Sequence, residues 1–242
     1  MHVLALDTTT REGSVALVNE HRTLDERAGD GTRSQAERLP GELTTLAPEH
    51  GLALGAIDVF AVAAGPGSFT GLRIGIATMQ GLALATGRRI VAVSALEALA
   101  HVASVGLPAG TLVAAWMDGR RGTVFAALYR VEAAPDFSER RLVAIGDASA
   151  DAPEATLDRW SAEIAGANVV FLGDGAVLYQ AVIETRSVGR WRVLPTPLLA
   201  GGIGRIAVGR ALAGETIDPA AVQPLYVRRP DVEVERERRL LQ

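Results

Sequence analysis

Two hydrophobic periods alternate along the chain. Runs that are apolar at every second position, or nearly throughout, predict strands, and apolar residues three and four apart predict helices. On this pattern residues 2–7 form a strand, Thr8 to Glu12 a tight polar turn, Gly13 to Asn19 a second strand and His21 to Ala28 a third. A helix is expected over Ser34 to His50 with Leu39, Leu43 and Leu46 on one stripe, and Pro40 should kink it or mark a late start, because proline removes a backbone donor. Ile57 to Ala64 is a buried strand, Thr70 to Thr86 a helix, Ile90 to Val93 a strand and Ala95 to Ser104 a helix.

The order then recurs. Strands are predicted at Thr111 to Met117, Thr123 to Val131 and Arg141 to Ile145, the first two joined by the turn Asp118-Gly119-Arg120-Arg121-Gly122. Pro153 to Ile164 is a helix, Val169 to Leu172 a strand, Ala176 to Arg186 a helix, Trp191 to Leu194 a short strand and Leu198 to Leu212 the last long helix. Each half reads strand-strand-strand-helix-strand-helix and opens with a strand that ends in an acid and a turn, at Asp7 and at Asp118. The expected fold class is therefore α/β with two βββαβα lobes: residues 1–105, and residues 106–242 with the last helix and tail packing back on the first lobe. Two such lobes facing each other enclose a cleft, and strand pairs joined by polar turns are suited to holding phosphates through backbone N–H groups.

Composition narrows the chemistry. The 242 residues include no cysteine, which excludes disulfides and thiolate metal sites and fits a cytoplasmic location. All basic residues are arginine, so no P-loop, kinase-type or Schiff-base lysine exists. The net charge of −4 argues against a surface that clamps nucleic acid everywhere. No apolar run approaches the roughly 20 residues needed to cross a membrane, and Met1 to Asp7 reads as a strand, not a signal peptide.

The segment with most chemical content is Gly65-Pro66-Gly67-Ser68-Phe69-Thr70-Gly71-Leu72-Arg73-Ile74-Gly75, which follows a buried strand and opens a helix. Gly65 and Gly67 permit positive φ, Ser68 or Thr70 can cap the helix, and free N–H groups at such a start favour an anion; an ordinary strand-to-helix turn reads equally well. Asp7, with Thr8 and Thr9, can position a metal-bound phosphate or simply hold its turn by side-chain hydrogen bonds. Gly173-Asp174-Gly175 can pass under an adenine or merely turn the chain. Among His2, His21, His50 and His101 no two stand within a helical turn, so no local metal pair exists, and His101 is expected at the surface or a cap. The alternating acids and bases from Arg228 to Arg239 suit a solvated end, or a contact with tRNA.

From Gly71 to Gly87 the only charge is Arg73, with Leu72, Ile76, Met79 and Ala83 on one face. A helix apolar all round needs cover on more than one side. Its own sheet supplies one; a second helix or a partner protein is expected to supply the other.

Leu4-Ala5-Leu6-Asp7-Thr8-Thr9-Thr10, Ser14-Val15-Ala16-Leu17, the glycine-rich segment and Val93-Ser94-Ala95-Leu96 closely resemble the bacterial TsaB family, as do Ala36-Glu37-Arg38-Leu39 and Pro224-Leu225-Tyr226-Val227-Arg228. The resemblance implies an ASKHA (actin/hexokinase/Hsp70-like) fold. It implies a non-catalytic role in placing N6-threonylcarbamoyl on the adenosine at position 37 of ANN-reading tRNAs (t6A). It also implies pairing with a catalytic TsaD-type paralogue and a TsaE-type ATPase, contact with tRNA through that complex, and a homodimer when alone.

The paralogue's two metal histidines fall on Ala95 and Leu99, so no metal site and no catalytic residue is expected. The heterodimer contact is implied for the helices near 34–50 and 70–87, through Leu39, Leu43, Leu72, Arg73, Ile76, Met79 and Ala83. Weak ATP or ADP binding at most is expected, around Asp7, Thr8, Thr9, Gly65, Gly67, Ser68, Asp118, Gly173, Asp174 and Gly175. The second lobe departs from the family pattern Asp-Ala-Arg-x-x-Glu-Val-Tyr, reading Asp118-Gly119-Arg120-Arg121-Gly122-Thr123-Val124-Phe125. The alternatives are an ATP-dependent phosphotransferase using Asp7 and Asp118, or a metallopeptidase-like enzyme of the same fold.

Overall fold

The computed structural model describes residues 1–187 and 190–227. The charged run Arg228 to Arg239, and with it the expected packing of the tail, lies outside the described residues. Strands β1 (His2–Asp7), β2 (Ser14–Asn19) and β3 (Thr23–Ala28) are followed by α1 (Gln35–Glu49), β4 (Val59–Gly65), α2 (Phe69–Thr86), β5 (Arg89–Ser94) and α3 (Ala95–Ser104). The second half runs β6 (Leu112–Arg120), β7 (Thr123–Val131), β8 (Leu142–Ala144), β9 (Ser149–Asp151), α4 (Pro153–Arg159), α5 (Ser161–Ile164), β10 (Val169–Leu172), α6 (Asp174–Leu178), α7 (Gln180–Arg186), β11 (Trp191–Val193) and α8 (Ala200–Leu212).

The duplication read from the element order is present in the sheets. The first has the order β3-β2-β1-β4-β5 and the second β8-β7-β6-β10-β11, with β9 adding to β7. In both, the opening hairpin is antiparallel and the two later strands join in parallel. This is the expected ASKHA fold. Each lobe's central strands are apolar on both faces because helices cover both. Val3 and Ala5 of β1 point into a central core shared by both sheets, α3 and α8, while Leu4 and Leu6 point outward under α1 and α2. A third core lies outside the second sheet, around Trp116, Phe171 and Trp160.

The central layer crosses between the halves. Helix α8 lies on β1, β2 and β4 of the first sheet, and α3 lies chiefly on β6 and β7 of the second. Ser14 of β2 caps α8, its hydroxyl accepting from the backbone N–H groups of Leu199 and Ala200 at 3.2 and 2.9 Å. Glu26 of β3 accepts from Gly201 at 2.7 Å. Glu97 of α3 takes two hydrogen bonds from Arg210 of α8 at 2.7 and 3.0 Å.

Several expectations are corrected. Pro40 does not mark a late start: helix α1 begins at Gln35 and carries Pro40 within it, exposed beside exposed Ala36. The helix expected over 153–164 breaks at Trp160 and the one over 176–186 at Tyr179, and the short strand β9 was not anticipated. His101 is not at the surface. It is 2% exposed, stacked on Phe137 with ring centroids 5.9 Å apart.

Burial, and then the charges of Arg210 and Arg141, lower the His101 pKa to about 4, with Asp136 acting weakly the other way. The unfolded value is 6.5. As pH falls, the unfolded chain therefore takes up the proton first, and stability drops through the window between the two values. Asp7 and Glu26, whose burial raises their pKa, act in the opposite sense but are common to both proteins in a comparison. Urea midpoints at pH 7 and 5 are expected to show wild type losing about 2 kcal/mol more than His101→Leu. Equal losses would place the proton elsewhere.

Candidate functional site

The two sheets meet at a cleft of about 1750 Å³ at the ends of β1, β6 and β10. Of the ten residues expected to hold a nucleotide, it is lined by Asp7, Thr9, Gly67, Ser68, Asp118, Gly173 and Asp174. Thr8, Gly65 and Gly175 are turned away. The Thr8 side chain is fully buried beneath α2, Gly65 backs onto the carbonyl of Leu225, and Gly175 lies against the backbone of Met117 and Asp118.

Asp7 is buried at the floor. Its Oδ1 accepts from the backbone N–H and the hydroxyl of Thr9, at 2.9 and 2.7 Å, so the carboxylate holds its own turn. Desolvation pushes its pKa up; the two Thr9 bonds pull it down, and the nearby charge of Asp174 adds to the rise. The rest of the turn is tied from α1, where Gln35 donates to the Thr10 carbonyl at 3.0 Å and buried Arg38 donates to the Glu12 carbonyl. Arg38 also pairs with Glu42 at 2.6 Å. Nothing in the local pattern signals these ties, because they depend on where α1 lands.

The glycine-rich segment packs on this turn instead of opening beside it. Ser68 N–H donates to the Thr9 carbonyl at 2.8 Å, and Ser68 Oγ caps α2 by accepting from Gly71 N–H at 3.2 Å. A Cβ on Gly71 would lie 2.2 Å from the Thr8 carbonyl oxygen, and one on Gly75 2.1 Å from the Thr8 hydroxyl. These glycines let a helix sit directly on the β1 turn.

The second hairpin is closed in its own way. Asp118 accepts from Arg120 N–H at 2.9 Å and pairs with its guanidinium at 3.1 Å. Asp174 Oδ1 accepts from the N–H groups of Asp118 and Gly175, both at 2.9 Å. The cleft thus has three aspartates, and each is engaged with neighbouring protein groups. A phosphate chain would meet a carboxylate floor, with the N–H groups of Thr9, Ser68, Asp118 and Arg120 already bonded within the protein. Among the described residues no group of three histidine or acidic side chains is placed to hold a metal. Ala95 and Leu99 lie in the central core.

Six of the seven residues expected at a partner contact are inside the lobe. Leu39, Leu43, Leu72, Ile76, Met79 and Ala83 are buried against the first sheet, and Arg73 alone is exposed. The physical reason is that α1 covers one flank of α2 and residues 219–222 the other, where Gln80 donates to the Pro219 carbonyl at 2.7 Å. What remains open on α2 is a different stripe: Thr70, Arg73, Ala77, Gly81 and Leu84, the last 62% exposed.

A family model for TsaD, the tRNA N6-adenosine threonylcarbamoyltransferase, matches residues 29–193. The tRNA threonylcarbamoyladenosine biosynthesis protein TsaB of Haemophilus influenzae is 30% identical over 233 residues, 93% of this chain and 93% of its own. The chain belongs to the TsaB family. The Escherichia coli TsaB is 37% identical over 54% of this chain and 55% of its own length. A crystal structure of a Pseudomonas aeruginosa protein with similarity to the peptidase YEAZ superposes with a TM-score of 0.78 at 32% identity, covering 94% of this chain and 99% of that one. The TsaB-family fold thus extends across both lobes, including the second, where the hairpin sequence diverges.

Proposed function

We propose that this TsaB-family chain is a non-catalytic subunit in t6A synthesis. It docks on a TsaD-type catalytic paralogue, helps seat a TsaE-type ATPase, and meets tRNA only through that cytoplasmic complex. The observation that carries the reading is the open α2 stripe of small and apolar residues, whose opposite face is filled by the chain's own sheet. A contiguous apolar surface on a helix otherwise packed is the mark of a protein contact. In isolation the same stripe pairs two copies. The tied-off turns and the absence of histidine at 95 and 99 support a site that stabilises its partner and does not itself transfer the group.

Co-purification with the same organism's TsaD-type paralogue tests this. A one-to-one complex is expected for wild type and none for Gly81→Arg, where an added side chain meets open space and the fold is left intact. If Gly81→Arg retains the complex, the docking face is not α2.

The three cleft aspartates keep one second reading in view, an ATP-dependent phosphotransferase. Calorimetry of the isolated chain with MgATP is expected to show no tight binding; a well-defined isotherm with turnover would favour the phosphotransferase.

A further inference from the structure

The single charge on α2 is held in one orientation and has no carboxylate partner among the described residues. The Arg73 guanidinium carbon lies 3.8 Å from the Phe69 ring centroid, and its Nε donates to the Tyr226 hydroxyl at 3.3 Å. Tyr226 itself stacks on Phe69, with centroids 5.8 Å apart and planes 28° from parallel. The segment bearing Tyr226 is fixed by Leu225 N–H donating to the Ala64 carbonyl at 2.7 Å. The ring covers one guanidinium face and the hydroxyl takes Nε. Among the described residues no acceptor takes the two terminal nitrogens, whose four N–H donors lie at the exposed end of the stripe.

We propose that Arg73 is a preorganised anchor for a carboxylate on the partner subunit, with Phe69 and Tyr226 as positioning residues that set its guanidinium plane. This rests on the reading of α2 as the docking face and names the chemistry at one end of it. A planar guanidinium fork matches a carboxylate through two parallel hydrogen bonds, and stacking on an aromatic ring leaves less freedom to lose on binding. A protein carboxylate is favoured over an RNA phosphate because the stripe beyond Arg73 is uncharged and apolar. Phosphate backbones are bound by several cations acting together.

The test is the affinity of the full chain for the TsaD-type paralogue at low and high salt, for wild type, Arg73→Gln, Tyr226→Phe and Gly81→Arg. Arg73→Gln is expected to weaken binding about 10–100-fold at low salt and to remove most of the salt dependence. Tyr226→Phe keeps the stack and loses the hydroxyl. It should weaken binding about 3–10-fold, and its effect should vanish in the Arg73→Gln background, as a double-mutant cycle reads directly.

If Arg73→Gln binds like wild type while Gly81→Arg does not bind, the docking face stands and the anchor falls. If Gly81→Arg also binds like wild type, or wild type does not bind at all, the docking face falls and the anchor with it. If Arg73→Gln spares subunit affinity but lowers tRNA retention by the assembled complex in a gel shift, Arg73 meets phosphate and the proposal is overturned.

Discussion

Arg141→Met is expected to cost about 2–5 kcal/mol and to lower the melting temperature by about 4–20 °C for a chain of this size. Arg141 is 6% exposed at the junction of the central layer and the second sheet. Its Nη1 donates to the carbonyls of Glu132 and Ala134 at 2.8 and 3.3 Å. Its Nη2 donates to those of Ser104 and Leu107, both at 2.7 Å. Nε lies 3.3 Å from the Asp136 carboxylate, an ion contact and not a directed hydrogen bond.

Ser104 is the last residue of α3, where helix carbonyls lack intrahelical donors, and Glu132 and Ala134 lie on the loop after β7. Methionine fills the aliphatic space but leaves the Ala134 and Leu107 carbonyls without a donor; those of Glu132 and Ser104 lose one of two, keeping the N–H groups of Ala134 and Leu107. Lysine restores the charge without the fork and should recover less than half of the loss. All three tryptophans, Trp116, Trp160 and Trp191, pack on the outer face of the second sheet, so their fluorescence in urea reports the lobe that Arg141 ties to α3. A fall of under about 2 °C, corresponding to under about 1 kcal/mol, would mean water replaces the guanidinium at little cost.

The strand and helix order was legible because period alone separates the two states, and because both lobes repeat one order. The breaks at Trp160 and Tyr179 were not, since apolar residues continue through them and the chain turns only to fit the outer core. At the cleft, Asp7, Asp118 and Asp174 converge as their positions at the ends of parallel-facing strands suggest. Thr8 does not join them, because alternation along the extended turn sends neighbouring side chains to opposite sides. The burial of His101 depends on Phe137 reaching it from the loop after β7, a contact no local pattern encodes. The largest misreading concerns α2. Its residues are apolar on every side, so composition called for a cover but could not say which stripe the sheet takes.

That distinction separates two substitutions little more than one helical turn apart. Met79→Arg is expected to leave no folded protein, whereas Leu84→Arg is expected to fold normally and to lose its partner. Met79 is fully buried among Leu4, Phe60 and Ile76. An arginine there buries an unpaired charge at a cost of several kcal/mol, and its extra volume adds roughly 1–3 kcal/mol of overpacking. Together these approach the roughly 5–15 kcal/mol that holds a typical chain folded.

Leu84 is 62% exposed, and a surface change of this kind usually moves stability by about 0.5 kcal/mol or less. Soluble yield and thermal melts followed by circular dichroism read the first effect, and pull-down with the TsaD-type paralogue reads the second. A folded Met79→Arg protein that still pairs would refute the inward assignment of that face. A Leu84→Arg protein that pairs as tightly as wild type would refute the outward one. If both behave as expected, the helix's all-round apolarity divides in two: one half closes the lobe's own core, and the other stays open for a second chain.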